Sequence, residues 1–161
     1  MADLRIIEDF PKKGVTFVDI SPKLADKDDF RDIIDKMCEM VPEGTDYIIG
    51  PESRGYIFAA PVAIKLGIGF VPIRKKGKLP DSIVYEAEYE KEYGTDIICI
   101  PKNDLYEGKN FFVMDDVLAT GGTFKACKEL ISKVNGNYVG AGFYINIKSL
   151  NNEDVKYVEE F

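Results

Sequence analysis

The sequence predicts an α/β fold in which a central, mostly parallel sheet is covered by helices on both faces. Short apolar runs, typical of buried strands, alternate along the chain with longer segments whose apolar residues recur at helical spacing. Several runs contain no alternating polar residues, as is usual for parallel strands that are buried on both sides. The length of 161 residues, without an internal repeat or a clear linker, predicts a single domain, 1–161.

Three segments show helical periodicity. Residues 28–41 begin with two aspartates, which are favourable at a helix start. Residues 54–67 are small and apolar, end at Gly67 and contain Pro61, which begins or kinks the helix. Residues 122–134 carry an apolar stripe on one side, formed by Phe124, Cys127, Leu130, Ile131 and Val134.

Five apolar runs are predicted to be strands, at 46–50, 70–74, 96–100, 110–115 and 138–147. Between them, "KKGKLPDS" (75–82) is basic and contains Gly and Pro, which predicts a mobile loop. Residues 83–94 alternate Tyr and Ala with acids, as in an exposed strand or hairpin. Residues 1–25 are the least regular, and we expect them to cap one end of the sheet together with 75–95.

Composition excludes several classes of function. The net charge is −7 and the pI about 4.7, so a broad nucleic-acid surface is not expected, and any bound phosphate needs a local cluster of donors. The chain has no histidine, which excludes a Ser-His-Asp triad and histidine-ligated zinc. Its three cysteines have no CxxC spacing, so neither a disulfide framework nor a zinc site is indicated. We expect them to be core residues of a protein from a reduced compartment. The N-terminus lacks an apolar signal segment, and the longest apolar run, 55–64, is too short to span a bilayer, so we expect a cytoplasmic protein.

The stretch "MDDVLATGGT" (114–123) combines two acids with a glycine turn. A buried strand leads through it into a helix, and in open α/β sheets ligands bind at the carboxyl ends of strands. Glycines and a helix start allow backbone N–H groups to approach an anion. The pattern is not a Walker A loop, and the chain contains no GxGxxG.

The adjacent Asp115 and Asp116 suit hydroxyl donors or a metal ion. Because successive strand residues point to opposite faces, the two acids need not form a repelling pair. A ribose 5-phosphate would use both the acids and the glycine turn. The alternative is a surface turn that carries two solvated acids before a helix.

The string "FFVMDDVLATGGT" (111–123) closely resembles the phosphoribosyl-diphosphate (PRPP) signature of the type I phosphoribosyltransferases. Segments 10–24, 50–80 and 92–96 resemble the adenine-using members of that family, in the same order. The resemblance implies the type I phosphoribosyltransferase fold, with a small N-terminal hood at 1–25 that recognises the base and a mobile flap at 75–95. It also implies transfer of the phosphoribosyl group from PRPP to N9 of adenine, giving AMP and pyrophosphate in purine salvage, with Mg²⁺ as cofactor and a homodimer as the assembly.

The resemblance assigns roles to individual residues. Asp115 and Asp116 are implied to approach the ribose hydroxyls, directly or through water on Mg²⁺. The remaining residues of the signature are implied to surround the 5-phosphate: Ala119, Thr120, Gly121, Gly122 and Thr123. Pyrophosphate is implied to bind a separate set of side chains: Ser53, Arg54, Arg74 and Lys78. The Glu52–Ser53 peptide is often cis in the family, which would direct amides at pyrophosphate. Taken alone, Arg54 also reads as a surface arginine at a helix start.

The same comparison implies that Glu92 is the catalytic acid or base at purine N7, with Tyr85 and Tyr93 in the closing flap. The other glutamates of this stretch are predicted to form a solvated strand face, since only Glu92 precedes Tyr-Gly: Glu86, Glu88 and Glu90.

Adenine is implied to lie between apolar side chains and main-chain groups, provided by Thr16, Phe17, Val18, Val117 and Leu118. Many family members have arginine at the position of Val18, and Pro51 and Glu52 also depart from the commoner pattern. Two alternatives follow: the same chemistry on xanthine, hypoxanthine or guanine, and a non-catalytic PRPP-binding regulator.

Overall fold

The computed structural model describes residues 3–91 and 94–161, which form two compact units. The first unit extends to Asp35, and the second runs from Lys36 to Phe161. Two predicted residues, Glu92 and Tyr93, lie outside the described residues. Within the described ranges, no helix has the length and apolar character needed to cross a membrane.

The first unit contains a small hairpin and a short helix. Strands β1 (Arg5–Ile7) and β2 (Phe17–Asp19) are antiparallel, and they are followed by helix α1 (Ser21–Ala25). Helix α2 (Lys27–Glu39) begins in this unit and continues into the second. At its start the Asp26 carboxylate accepts hydrogen bonds from the N–H groups of Asp28 and Asp29, both at 2.9 Å, which satisfies two donors of the first turn and lowers the pKa of Asp26.

The second unit is built on a seven-stranded sheet. Its parallel part consists of β3 (Tyr47–Pro51), β4 (Gly69–Lys75), β7 (Asn110–Leu118), β8 (Asn137–Asn146) and β9 (Lys156–Glu160). A hairpin of β5 (Val84–Lys91) and β6 (Gly94–Pro101) joins the β4 edge in antiparallel orientation, giving the order β5-β6-β4-β3-β7-β8-β9. The segment 83–94, predicted as an exposed strand or hairpin, thus contains strand β5, at the edge of the sheet.

Two helices cover opposite faces of this sheet. Helix α4 (Gly122–Lys133) packs its apolar stripe on Ile49, Val113 and Phe143, which share one face. Helix α3 (Gly55–Leu66) lies on the other face, where the Phe58 ring is 5.6 Å from that of Tyr144. The predicted helix ends differ from the observed ones by at most two residues, and Pro61 lies inside α3.

Three differences separate the predicted elements from the observed ones. Strand β7 does not stop at residue 115 but continues to Leu118, because Val117 and Leu118 still pair with β8. Asp115 and Asp116 are therefore strand residues. Strand β9 was not predicted, since its sequence, "KYVEE", lacks the apolar run that marks a buried strand. As an edge strand it pairs with one neighbour only and tolerates charged side chains. The segment predicted as a loop at 75–82 contains turns and the start of a 3₁₀ helix, Asp81–Ile83.

Candidate functional site

The predicted ligand-binding residues of the second unit meet at the carboxyl edge of the parallel strands. Strand β3 ends at Pro51, two and three residues before Ser53 and Arg54, while the neighbouring β7 carries the two aspartates near its end. Strand β4, on the other side of β3, ends with Arg74 and Lys75. Parallel strands place their carboxyl ends at the same edge, so segments more than 60 residues apart in sequence come together here.

Asp116 forms an ion pair with Arg54. The carboxylate of Asp116 is buried, with 6% of the residue exposed, and it accepts a hydrogen bond from Nε of Arg54. Arg54 stands at the N-cap position of α3, and its side chain is 37% exposed. A buried carboxylate needs such a partner, because an unpaired charge in the interior is costly. Two residues predicted to hold different parts of the ligand thus contact each other directly.

Asp115 and Asp116 do repel each other, although their positions on opposite sides of the strand did not require it. The Asp115 carboxylate turns back to accept a hydrogen bond from the backbone N–H of Asp116, at 2.8 Å. This local bond brings the two carboxyls together although their side chains leave the strand on opposite sides. Burial, followed by the Asp116 charge, raises the pKa of Asp115 well above its usual range, and the nearby Arg54 opposes this only in part. The pair therefore favours a proton, a hydroxyl donor or a cation at Asp115.

Gly55, at the start of α3, allows the helix to approach these acids. A Cβ at this position would lie 2.7 Å from Cδ of Pro51 and 2.8 Å from Oδ1 of Asp115. No other residue fits without a shift of the helix or the strand. Gly55 was not predicted as a site residue, although the Arg54-Gly55 pair shortly after a buried strand is a signal for it in the sequence.

Glu52 links the ends of β3 and β4. Its Oε2 accepts a hydrogen bond from Nε of Arg74 and another from the backbone N–H of Lys75, both at 3.0 Å. The bond from Lys75 is the main cause of a lowered pKa at Glu52. The Glu52–Ser53 peptide is cis, as predicted. Glu52 was noted in the sequence only as a departure from the family pattern, whereas in the structure it positions Arg74.

The predicted 5-phosphate loop, residues 119–123, joins β7 to α4. Gly121 is the N-cap residue and has a φ of 85°, a conformation that favours glycine. Gly122 opens the helix, and a Cβ there would be 2.8 Å from the Glu90 carbonyl oxygen, so strand β5 lies against the loop. The first backbone N–H groups of a helix have no acceptor within the helix, so this turn presents donors to an anion. Thr120 is exposed at this point.

A groove of about 530 Å³ lies beside the loop, between β5 and the first turns of α4. Thr120, Gly122 and Lys125 form one wall, and Tyr89 and Lys91 belong to the other. Lys91 pairs with Asp96 across the hairpin, next to the two residues that are not described. The groove places β5 close enough to the loop for the hairpin to cover a ligand bound there.

The remaining predicted residues are more scattered. Lys78 is exposed in the turn after β4, while Lys76, read as a solvated charge, pairs with Glu86 at 3.2 Å. Val117 is half-buried, and Leu118 is 2% exposed within the core.

In the first unit, the Phe17 ring packs edge-on against Phe10 at 5.2 Å, Thr16 is exposed and Val18 is buried. Val18 lies in β2, where it pairs with Ile6 of β1.

Comparison with known proteins agrees with this geometry. A family model described as a phosphoribosyl transferase domain matches residues 20–160. An adenine phosphoribosyltransferase from Alkaliphilus metalliredigens is 46% identical over 154 residues, which cover 94% of this chain and 89% of the relative.

Two solved structures extend the comparison. Adenine phosphoribosyltransferase from Thermoanaerobacter pseudethanolicus has a TM-score of 0.91 and 39% identity, covering 98% of this chain and 95% of that one. The Saccharomyces cerevisiae enzyme, complexed with an imino-altritol bisphosphate and adenine, has a TM-score of 0.86 and 37% identity, covering 96% and 92%. The resemblance inferred from the sequence motifs and the predicted fold class are therefore confirmed.

Proposed function

Because this chain belongs to the phosphoribosyltransferase family, we propose that it transfers the phosphoribosyl group of PRPP to N9 of adenine, forming AMP and pyrophosphate in purine salvage. The observation that carries the proposal is the joining of an acidic pair and an anion-binding turn at the end of one strand, β7. A sugar phosphate needs both kinds of group within a few ångströms. The names of the relatives direct the choice of base to adenine.

The ribose 5-phosphate part of PRPP is assigned to Asp115, Asp116 and the loop 119–123. The loop amides and the α4 start attract the phosphate, and the carboxylates accept hydrogen bonds from the ribose hydroxyls. Because Asp115 already has a raised pKa, a hydroxyl or cation that approaches it relieves an unfavourable arrangement. This relief gives the site a preference for a ligand that carries donors at that point.

Mg²⁺ is assigned to the substrate rather than to a dedicated cage. The ion prefers oxygen ligands and usually binds through one or two carboxylates together with substrate phosphates and water. Asp115 and Asp116 provide such oxygens at the strand end. When bound, Mg²⁺ would offset the charge of the pyrophosphate group, and Asp115 and Asp116 are the residues that would hold it.

Pyrophosphate is assigned to Ser53, Arg54, Arg74 and Lys78. Arg74 is oriented by Glu52, and Arg54 is oriented by Asp116, so both guanidinium groups have fixed directions before substrate arrives. During transfer the C1–oxygen bond to pyrophosphate breaks and the bond from C1 to N9 of the base forms. Arginines near the leaving group stabilise the charge that develops on it.

Glu92 is assigned as the group that takes the proton from adenine N7 as N9 attacks. The role rests on its position in "EYGTD". Such a group typically contributes about 10²–10⁴-fold to the rate. In the sequence, Glu92 lies between the end of strand β5 at Lys91 and the start of strand β6 at Gly94. Tyr85 and Tyr93 are assigned to the mobile flap at 75–95, which excludes water from the reacting sugar.

Base recognition is assigned to main-chain groups of Thr16, Phe17 and Val18, with apolar contacts from Val117 and Leu118. A homodimer and a cytoplasmic location complete the proposal. The free state of all three cysteines agrees with a reducing compartment. Size-exclusion chromatography with light scattering tests the homodimer, and cell fractionation tests the location.

The proposal is tested with purified protein, PRPP, Mg²⁺ and one base at a time. Adenine should yield AMP and one pyrophosphate per turnover, while hypoxanthine, guanine and xanthine should react much more slowly. Turnover with another base but not with adenine would reassign the base. A lack of turnover with all four bases, together with retained PRPP binding, would favour the regulator.

A further inference from the structure

The side chain of Asn151 forms a hydrogen bond with Ala119, the first residue of the loop 119–123. Its Nδ2 lies 2.9 Å from the carbonyl oxygen of Ala119, 3.0 Å from Oδ1 of Asn146 and 3.0 Å from the carbonyl oxygen of Ile147. All three acceptors surround one amide group. Asn151 follows the short 3₁₀ helix Lys148–Leu150 and lies outside the sequence motifs described above.

Asn146, the last residue of β8, supports this arrangement. It is fully buried, and its Oδ1 faces Asn151. Its own Nδ2 is buried and has no hydrogen-bond partner within residues 3–91 and 94–161. Buried amide groups are rarely left without a partner, so the orientation that presents Oδ1 to Asn151 is maintained at a cost. In addition, the N–H of Ile147 donates to the carbonyl of Leu118 at 2.9 Å, which ties the loop entrance to the end of β8.

The other end of the loop is contacted by Glu153 in the same segment. The Glu153 N–H donates to Oδ1 of Asn151 at 3.1 Å, which fixes the direction of the Asn151 amide. The Glu153 carboxylate lies 3.5 Å from Nζ of Lys125 and 3.6 Å from the place of a Cβ on Gly121. One segment thus restrains the loop at Ala119 and borders it at Gly121.

We propose that Asn151 is a positioning residue for phosphate binding: it fixes the Ala119 carbonyl so that the amides of the following turn already point towards the 5-phosphate of the substrate. The inference rests on the proposed assignment of residues 119–123 to that phosphate. A loop that is ordered before binding loses less conformational entropy when the ligand arrives. The effect belongs to ligands that carry a 5-phosphate, and it does not extend to pyrophosphate or to the free base.

The test compares Asn151→Ala and Asn151→Asp with the control Asn152→Ala, a neighbouring asparagine that is exposed. In Asn151→Ala, loss of the hydrogen bond to the Ala119 carbonyl should weaken AMP binding and raise the KM for PRPP about three- to tenfold. Asn151→Asp should be affected more, because a carboxylate replaces the donor and faces three oxygen atoms. Pyrophosphate affinity and the KM for adenine should stay within twofold, and Asn152→Ala should match the wild type.

Isothermal titration with AMP and with pyrophosphate provides the binding constants, and thermal unfolding provides a separate measure of stability. Equal weakening for AMP and pyrophosphate would mean that Asn151 has only a general structural role, and it would overturn the inference. If Asn151→Ala does not fold, Asn151→Ser, which keeps a small donor, is measured by the same criterion.

Thr123→Ala separates failure of this inference from failure of the loop assignment. If Thr123→Ala weakens AMP binding and Asn151→Ala does not, the positioning role is refuted and the loop assignment stands. If neither variant affects AMP binding, the loop does not hold the 5-phosphate, and the inference fails together with that assignment.

Discussion

Gly55→Ala tests whether the close approach of α3 to β7 is required for catalysis. The new Cβ would be 2.7 Å from Cδ of Pro51, whereas carbon atoms in contact prefer about 3.5–4.0 Å. It would also be 2.8 Å from Oδ1 of Asp115 and 3.3 Å from the Met114 carbonyl oxygen. The proline ring and the backbone oxygen are rigid, so the helix start must move by several tenths of an ångström.

The magnitude follows from this overlap. Overpacking typically costs about 1–3 kcal/mol. In a chain of this length about 1 kcal/mol corresponds to about 2–4 °C, so the Tm should fall by about 2–12 °C. Displacement of Arg54 from Asp116 should lower kcat/KM further than this loss of stability explains, by about 10–100-fold, since misplacement by 1 Å can reduce rates by such factors.

The assay combines thermal unfolding by circular dichroism with steady-state kinetics at varied PRPP. Gly44→Ala is the control: Gly44 has a φ of 82° and no heavy atom within 4 Å of a Cβ. It should lose stability through backbone strain and keep a normal kcat/KM. A Gly55→Ala protein with unchanged Tm and kcat/KM would refute the reasoning that this contact positions the site.

Three further outcomes are expected. Asp115→Asn should increase the free energy of unfolding of the ligand-free protein at pH 7. The folded protein has a raised pKa at Asp115, so the contribution of this side chain to stability is fully present below its ordinary pKa of 3.8. That contribution is lost as pH rises through the folded pKa. Urea denaturation from pH 4 to 8 measures this, and a difference that does not grow with pH contradicts it. Glu52→Gln should lower the Tm by about 1–3 °C at pH 7. That difference should close as pH falls through the lowered folded pKa of Glu52, below 4.5, and an equal difference at pH 3 would argue against the charge. Glu92→Gln should reduce turnover about 10²–10⁴-fold while PRPP affinity is retained; an unchanged rate would move the proton transfer to another group.

Most elements of the second unit could be predicted because their apolar residues follow the period of the structure they form. The helices at α3 and α4 and the strands β3 and β7 were located within a few residues for this reason. Strand β9 carries charges along an edge and shows no such pattern. The continuation of β7 beyond Asp115 to Leu118 was not predicted either, because an acidic pair is typical of a strand end unless its pairing with β8 is known.

For the candidate site, the sequence by itself determined which chemistry is available: adjacent carboxylates that precede a glycine turn at a helix start, and arginines in separate segments. These features are local, and each follows from residues that are neighbours in the chain. Only the tertiary structure decided how they combine. It paired Arg54 with Asp116 across 62 residues and oriented Arg74 through Glu52. It also brought the side chain of Asn151 within hydrogen-bonding distance of the Ala119 carbonyl. The pKa of Asp115 is likewise decided by burial and by the charge beside it, and burial exists only once the helices and the sheet have packed.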